Sequence, residues 1–537
     1  MIAGSPVSHE RRYVFRSSPV LLLMALNFIT RWIFLYRGGM PEPDSVAMAA
    51  GMARWFTSQI DFYDAFLYGR QLSPGIYFFF RIVYPAVFND ASHIIPFLNW
   101  IGLISSTLMV APLYLIFRRR FDRRVTVGCI LLILFSPLVW ELGTFFHPII
   151  PATLLFLLSF LAWNRISRSP AGAVSYLLTY LLASASVIMR LEILLVAPAL
   201  CTAVILSPDR RRDMARLFSL LPLVAATYLA VVRSISKPAD IPYHDLWKFI
   251  QIFGENLRLL LSFTAIKRTI IWACAGIGVG SVALAVFGSI TRAAGSRLKS
   301  DKETEKGLKD YLVAVVWMVP VLILWLPRPV PIMRHFFLVT PAAGWMAGET
   351  VLRRCSTRRI ITLVFIAIVC NLAVPEIFYR SYNIAHPESK KTPNGSFFYY
   401  HQREAEGILR NHAMQANVLS IFKQDSNNRD AGIVPGVFVA VTWDSYGYLL
   451  YALAQMNGID RLPEITPDPG MYIRRYTRGE TEIRLALLEG YMTEPGLMNL
   501  LVQIKTAGRE GFRVFVPEEI VRTGIGPKLE EDSYTTY

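Results

Sequence analysis

The sequence contains few charged residues for its length: 18% of its 537 residues are charged, whereas 53% are apolar. Soluble globular proteins carry about 25% charged residues, so this composition excludes an ordinary water-soluble protein. The apolar residues form long runs, such as 94–117, 125–146 and 360–377, that can cross a hydrocarbon core of about 30 Å. Backbone groups inside lipid must pair within their own segment, so these runs are predicted to be transmembrane helices.

Cysteine is rare, and several catalytic sequence motifs are absent. All five cysteines precede residue 378, which excludes a disulfide framework or a C-x-x-C metal site after that point. The chain has no G-x-x-x-x-G-K-[ST], H-E-x-x-H or G-x-S-x-G motif, the usual signatures of nucleotide hydrolysis, zincin proteolysis and α/β-hydrolase chemistry. Gly276 and Gly280 lie in an apolar run and are predicted to form a G-x-x-x-G helix-packing face.

Acidic residues are outnumbered by basic ones, which gives a formal net charge of +16. The basic residues occupy every second loop between apolar runs: Arg11, Arg12 and Arg16; Arg118, Arg119, Arg120, Arg123 and Arg124; Arg165 and Arg168; Arg210, Arg211, Arg212 and Arg216; residues 292–309; and Arg353, Arg354, Arg358 and Arg359. Cytoplasmic loops of membrane proteins carry such an excess. The charge is therefore predicted to orient the chain in a membrane, and nucleic acid is not expected as a partner.

The apolar runs predict a polytopic α-helical membrane protein with about eleven transmembrane helices. The predicted spans are 19–36, 94–117, 125–146, 149–163, 171–189, 193–206, 217–233, 265–289, 311–326, 337–352 and 360–377. We expect a multi-pass protein of the cytoplasmic (inner) membrane with its N-terminus in the cytoplasm. The odd number of spans then places the C-terminal part in the periplasm. The predicted domains are a transmembrane domain, 1–377, and a soluble extracytoplasmic domain, 378–537.

Residues 378–537 differ in character from the apolar runs before them. Helix-like runs at 402–415, 480–492 and 496–508 alternate with β-branched segments at 417–422, 436–442 and 513–516. Such alternation is typical of a small α/β domain.

The first outer loop, 37–93, carries two carboxylates directly after the first span. Glu42 and Asp44 precede an amphipathic stretch, 45–58, that is predicted to lie as a helix in the membrane interface. Asp44 either meets a substrate outside the cytoplasm or serves as the N-cap of that helix. Two carboxylates at this spacing also suit Mg²⁺ or Mn²⁺, but no third ligand lies nearby. We therefore expect no cofactor, with a divalent metal as the alternative.

A recognisable pattern begins at the end of the first span, where R-W-I-F-L-Y at 31–36 is followed by P-E-P-D-S-V-A-M-A-A-G-M-A at 41–53. It resembles the first loop of the GT-C glycosyltransferases, multi-span enzymes that take a sugar from a polyprenyl-phosphate carrier, such as lipid A aminoarabinose transferases and protein O-mannosyltransferases. Three further segments are similar to family motifs: Tyr68-Gly-Arg-Gln-Leu-Ser-Pro-Gly-Ile-Tyr77, Met189-Arg190-Leu-Glu192 and Arg328-Pro-Val-Pro-Ile-Met-Arg334-His335.

The resemblance implies a GT-C-like fold over residues 1–377 and an inverting sugar transfer with Asp44 as the general base. Nucleotide sugars are not expected outside the cytoplasm, so the donor would be a polyprenyl-phosphate sugar. Its leaving phosphate calls for fixed cations near the interface. The candidates are Arg70, Arg190, Lys267, Arg328, Arg334 and His335. Asp44-Ser45 stands here where the family commonly has Asp-Glu, and Ser73-Pro74 where it has Lys-Pro-Pro, which leaves the sugar and the acceptor open.

Each candidate residue also has a plainer interpretation. The cations can snorkel, with the aliphatic part of the side chain in lipid and the charge among the headgroups. Arg190 can simply pair with Glu192. The further site candidates are Glu42, Glu192 and His147. His147 stands beside Pro148 at an outer turn and is a candidate for the acceptor site.

Two other functions compete with sugar transfer. A lipid-linked-sugar flippase or transporter would favour internal repeats and charges at mid-membrane, whereas the notable charges here lie at the outer ends of spans. A non-catalytic membrane assembly protein would tolerate replacement of Asp44. The expected partners of the transferase are the donor lipid, a glycan, lipid or protein acceptor, and membrane lipids, and the 378–537 domain would cover the cavity or position the acceptor.

Overall fold

The computed structural model describes residues 18–35, 43–58, 61–68, 73–168, 173–206, 210–235, 274, 276–295, 302–325 and 337–385, together with four strands of the C-terminal part. For some helical residues, Asp44 among them, it describes the backbone only. The chain forms two compact units. Unit 1 consists of Met1–Leu35 and Asn99–Tyr399, and unit 2 of Tyr36–Leu98 and Tyr400–Tyr537. The predicted boundary at residue 377 stays a prediction, and the first outer loop groups with the C-terminal part.

Helices make up most of the described chain. In chain order they are α1 (Ser18–Ile33), α2 (Pro43–Phe56), α3 (Phe62–Tyr68), α4 (Pro74–Val87), α5 (Ile94–Arg118), α6 (Arg123–Leu134), α7 (Pro137–Leu142), α8 (Ile149–Arg168), α9 (Ala173–Met189), α10 (Ala197–Ile205), α11 (Arg210–Ile235), α12 (Val279–Gly295), α13 (Lys302–Trp325), α14 (Thr340–Thr350) and α15 (Thr357–Ala385). Short 3₁₀ turns cover Ala91–His93, Leu191–Val196 and Leu352–Arg354.

The helices coincide with the apolar runs of the sequence. Among the described residues, three helices are long and apolar enough to cross a bilayer: Ile94–Arg118, Arg210–Ser234 and Thr357–Val374. Seven shorter apolar helices accompany them. The protein is thus a helical, multi-pass membrane protein. Each predicted span overlaps at least one helix, and the number of spans remains a prediction.

One predicted span is not continuous. The run 125–146 is interrupted after Leu134, and the chain resumes helical structure only at Pro137. Proline lacks a backbone N–H and disfavours helical geometry in the residue before it, which favours a break at Ser136-Pro137. The prediction of one uninterrupted helix here was therefore wrong.

Close packing of α12 against α15 depends on a glycine and an asparagine. A Cβ added to Gly280 would lie 2.4 Å from the Cα of Ala367, so only glycine permits this approach. Asn371 Oδ1 accepts from the backbone N of Gly280 at 2.9 Å, and its Nδ2 donates to Ser281 Oγ at 2.9 Å. The packing role predicted for Gly280 is confirmed, whereas Gly276 precedes the start of α12.

The arginine-rich loop between α5 and α6 is tied to the turn between α14 and α15. Arg120 makes a two-pronged ion pair with Glu349 at 2.8 and 2.9 Å, and both side chains are buried. Arg124 donates to Thr357 Oγ1, 2.5 Å away. We call this side of unit 1 the basic end, defined by residues 118–124 and 349–359. It is the side that the loop charges predict to face the cytoplasm.

In unit 2, α2, α3 and α4 surround an aromatic core. Phe80 stacks on Tyr84 with ring centroids 4.5 Å apart, and Phe66 meets Tyr77 edge to face at 5.4 Å. A Cβ on Gly51 would lie 2.5 Å from the carbonyl oxygen of Ala65, so this glycine allows α2 and α3 to touch. The loop helices therefore have a packed core of their own.

The described strands of unit 2 form a parallel sheet in the order β2-β1-β3-β4. They are β1 (Val437–Val441), β2 (Glu464–Thr466), β3 (Ile483–Leu487) and β4 (Arg513–Phe515). β1 and β4 lie within predicted strand segments, but β3 occupies part of 480–492, where a helix was predicted wrongly. In Ile-Arg-Leu-Ala-Leu, residues 483, 485 and 487 are all large and apolar, the period of two that a strand requires. The α/β domain stays a prediction.

Candidate functional site

The interruption between α6 and α8 forms a buried, largely irregular segment at the end of unit 1 opposite the basic end. It contains the short helix α7, and every residue from Leu138 to Ile150 is buried. Irregular backbone at membrane depth is tolerated only where protein encloses it or where it lines a cavity. Broken segments of this kind therefore mark a place where a membrane protein does more than span the bilayer.

The segment packs directly on the start of α5. Asn99 Oδ1 accepts from the backbone N of Phe146 at 2.9 Å. A Cβ on Gly102 would lie 2.7 Å from the carbonyl oxygen of Phe145. The hydrogen bond from Phe146 to the amide of Asn99 and the close approach that Gly102 permits together hold the irregular backbone against α5.

Arg31 is a fully buried cation within α1 that touches the same segment. One guanidinium nitrogen donates to the carbonyl of Leu134 at the end of α6. The guanidinium carbon lies 4.6 Å from the ring centre of Trp140 and 5.9 Å from that of Phe135. A cation at the C-terminus of a helix is favourable because the last carbonyls carry partial negative charge. Arg31 therefore stabilises the broken end of α6.

Arg190 lies just after α9 and is 3% exposed. Its Nε stands 2.8 Å from Glu192 Oε2, so the predicted pairing of these residues is confirmed, and burial rules out simple snorkelling. The guanidinium Nη1 of Arg190 is buried and has no hydrogen-bond partner among the described residues. Ser186 Oγ, one turn earlier, donates to the carbonyl of Ala152 at 2.7 Å, which places Arg190 near the start of α8.

His147 is fully buried in the irregular segment. Its Nδ1 accepts from the backbone N of Ile149 at 3.2 Å, so the ring satisfies a donor at the start of α8. Its role toward an acceptor stays a prediction.

Asp44 belongs to unit 2, and its backbone lies in the first turn of α2. The helix begins at Pro43, two residues earlier than predicted, so Asp44 is inside the helix and its interpretation as the N-cap was wrong. By contrast, Asp61 caps α3: its Oδ1 accepts from the backbone N of Asp64 at 2.7 Å. Asp61 is therefore a capping residue.

Six of the predicted site residues lie outside the described residues: Glu42, Arg70, Lys267, Arg328, Arg334 and His335. Within the described part of the chain, no group of three histidine, cysteine or acidic side chains could hold a metal ion. The side chains of Glu42 and Asp44 lie outside the described part, so the metal alternative stays a prediction.

Sequence reasoning missed Arg31 and Glu141, which are both buried inside predicted spans. The signal was present, because an ionisable residue within an apolar run is costly and usually functional or structurally paired. The predicted site residues were chosen from charges near the outer ends of spans, whereas Arg31 and Glu141 lie within spans.

A comparison with family models matches part of the chain. Residues 73–235, which run from α4 through α11, match the model described as dolichyl-phosphate-mannose-protein mannosyltransferase. This match confirms the resemblance to the GT-C superfamily that the first-loop motif indicated.

Among solved structures, the chain is similar to the crystal structure of ArnT from Cupriavidus metallidurans bound to undecaprenyl phosphate. The two share 13% identity with a TM-score of 0.45, over 82% of this chain and 76% of that chain. The comparison with curated proteins gave no significant match.

Proposed function

We propose that this protein transfers a sugar from a polyprenyl-phosphate carrier to an acceptor at the outer face of the cytoplasmic membrane. The observation that carries the proposal is the match of residues 73–235 to a family whose description names dolichyl-phosphate mannose, a sugar on a polyprenyl-type phosphate. A lipid-linked donor also accounts for an enzyme built mostly of membrane helices, since its hydrocarbon chain stays in the bilayer during the reaction.

The reaction is an inverting displacement. The acceptor hydroxyl oxygen attacks the anomeric carbon while a carboxylate takes the hydroxyl proton. The bond between the anomeric carbon and the phosphate oxygen breaks at the same time, and the polyprenyl phosphate leaves with both bonding electrons. Catalysis thus requires one base near the acceptor and fixed positive charge near the phosphate.

Asp44 is the proposed base. Its backbone lies in the first turn of α2, eleven residues after the last residue of α1, so the membrane anchors the loop that carries it. The first-loop resemblance implies the role of the base for this position.

Arg190 is the proposed anchor for the donor phosphate. It is buried, is held by Glu192 and retains a guanidinium nitrogen without a partner among the described residues. A buried donor without a partner costs about 1–3 kcal/mol, a cost that a phosphate oxygen would remove. Arg70, Lys267, Arg328, Arg334 and His335 are proposed as further phosphate contacts.

The test is sugar transfer by the purified full-length protein from a panel of radiolabelled polyprenyl-phosphate sugars. Asp44→Asn keeps the size of the side chain but cannot take the proton. We expect it to lower transfer at least about 100-fold, the usual contribution of general-base catalysis.

Asp61→Asn is the matched control, because asparagine preserves the capping hydrogen bond to Asp64 and removes a charge from the same loop. Transfer by Asp44→Asn at the wild-type rate would contradict the base assignment. Movement of donor between leaflets of liposomes without any turnover would favour the flippase. Loss of transfer after EDTA treatment, restored by Mg²⁺ or Mn²⁺, would establish the metal alternative.

A further inference from the structure

A groove runs between α6 and α15 at the basic end of unit 1, and the proposed sugar transfer makes no use of it. Its volume is about 600 Å³, within the ~300–1,000 Å³ typical of ligand sites. The lining residues include Arg123, Arg124, Val127, Leu131, Ile361 and Phe365. The groove lies at the end of α6 opposite the irregular segment that follows Leu134.

The walls of the groove are formed by aliphatic and aromatic side chains, and some of these side chains are exposed on the surface of unit 1. Ile361 is 64% exposed and Phe365 is 65% exposed. Between the walls, α6 and α15 touch at Gly128, where an added Cβ would lie 3.2 Å from Val364 and 3.3 Å from Ile360. A groove with apolar walls, and with Gly128 between them, suits a hydrocarbon chain.

Positive charge lies at one end of the groove. Arg123 and Arg124 begin α6 and are exposed, and Arg124 reaches across the groove to Thr357 Oγ1 at 2.5 Å. The nearby carboxylate of Asp122 is engaged in capping α6, where it accepts from the backbone N of Val125 at 2.9 Å. Arg358 and Arg359, both exposed near the start of α15, add further positive charge to the basic end, so this end of unit 1 attracts anions.

We propose that this groove binds one anionic glycerophospholipid from the leaflet at the basic end. Its headgroup phosphate contacts Arg123, Arg124 and the hydroxyl of Thr357, and one acyl chain lies along Val127, Leu131, Ile361 and Phe365. Basic pockets between membrane helices on the cytoplasmic side bind anionic headgroups in this manner.

A second copy of the chain fits the groove less well than a lipid does. A twofold contact through this face brings the same patch of each copy together, so arginine would meet arginine. Like charges brought together disfavour such a contact, whereas an anionic headgroup neutralises them.

The experiment measures lipid binding to the full-length protein in detergent by native mass spectrometry. Phosphatidylglycerol and phosphatidylcholine with identical acyl chains are titrated separately. We expect one tightly held phosphatidylglycerol per chain and clearly weaker binding of phosphatidylcholine. The double variant Arg123→Gln, Arg124→Gln should bind phosphatidylglycerol roughly 30-fold more weakly, given the usual contribution of two arginines near an anionic lipid.

Two further variants separate the groove from general surface charge. Arg211→Gln combined with Arg212→Gln removes two exposed arginines from the start of α11, outside the groove, and should leave binding unchanged. Ile361→Trp places a larger side chain in the groove at an exposed position and leaves every charge unchanged. It should weaken the binding of both lipids. It keeps the test decisive if the arginine variant fails to fold.

Several outcomes would overturn the proposal. These are equal affinity for the two lipids, wild-type binding by Ile361→Trp, or an equal loss in the α11 control. A dimer of the wild-type protein that Ile361→Trp dissociates would instead identify the occupant as a second copy.

Discussion

At the scale of single residues, two buried arginines of unit 1 differ in their partners, and the partners separate their roles. Arg31 meets a backbone carbonyl and two aromatic rings, all neutral groups within the protein. Arg190 meets a carboxylate and keeps one nitrogen without a described partner. Arg31 likewise has a buried nitrogen, Nε, without a hydrogen-bond partner among the described residues, so only the partners that each arginine does have distinguish the two. Arg31 therefore stabilises the irregular segment, whereas the role of Arg190 toward the donor phosphate is the proposal tested next.

Replacement of Arg190 should impair sugar transfer without unfolding the protein. Arg190→Gln removes the charge that would stabilise the leaving phosphate, and we expect transfer to fall by about 10²–10³. Transfer from the preferred donor measures the effect, with thermal melting in detergent as the check on folding. Arg233→Gln, at an exposed position near the end of α11, is the control. A folded Arg190→Gln protein with wild-type transfer would remove Arg190 from the site.

Replacement of Arg31 should reduce stability more than activity of the folded fraction. Arg31→Leu leaves the carbonyl of Leu134 buried without its donor, which costs about 1–3 kcal/mol. Denaturation in detergent measures the loss, and Arg31→Lys should restore only part of it, because lysine lacks the planar guanidinium. Arg81→Leu removes an exposed contact with the Phe62 ring and should cost no more than ~1 kcal/mol. Equal losses at both positions would show that burial of Arg31 is unimportant.

At the scale of elements, small residues decide how closely the helices approach. Gly51, Gly102 and Gly280 each lie where an added Cβ would come within 2.7 Å of a neighbouring backbone atom. In lipid no hydrophobic force drives helices together, so close backbone approach and interhelical hydrogen bonds carry more of the association.

The contact between α12 and α15 provides the element-scale prediction. Gly280→Val places a branched side chain against the backbone of Ala367, and overpacking of this kind costs about 1–3 kcal/mol. Thermal melting in detergent should show a lower midpoint. Ala283→Val adds the same side chain at an exposed position of α12 and should leave the midpoint nearly unchanged. Similar midpoints for the two variants would contradict the close packing.

At the scale of the whole molecule, the distribution of basic loops predicts the orientation of the chain. The basic end holds residues 118–124 and 349–359, and Arg120 and Glu349 join them through a buried ion pair. Loops that are distant in sequence therefore lie on one side of unit 1, as expected if a single membrane surface selects their charge.

This orientation can be measured with alkaline phosphatase, which is active only outside the cytoplasm. A fusion after residue 537 should be active and one after residue 212 inactive, because an odd number of spans separates the N-terminus from the C-terminal part. Fluorescent-protein fusions at the same two points should show the opposite pattern. An inactive fusion after residue 537, produced at a normal level, would contradict the predicted topology.

The sequence by itself determined the membrane class and the positions of the apolar helices, and it predicts the side of the membrane that the basic loops face. Hydrophobic run length and loop charge are local properties, and the bilayer acts on each segment separately. The first-loop motif also indicated the GT-C superfamily, because its residues are contiguous. The strand at 483–487 was missed because a short apolar run suits a helix or a strand until its neighbours are known.

Only the tertiary structure decided which residues meet. Arg31 and Leu134 are 103 residues apart in sequence, and Arg120 and Glu349 are 229 apart. The break after Leu134 is visible as Ser-Pro, but its burial against Asn99 and Gly102 follows from the packing of α5. The buried state of Arg190 likewise arises from several helices at once. Such contacts depend on the relative positions of whole helices, which the local pattern of the sequence does not specify.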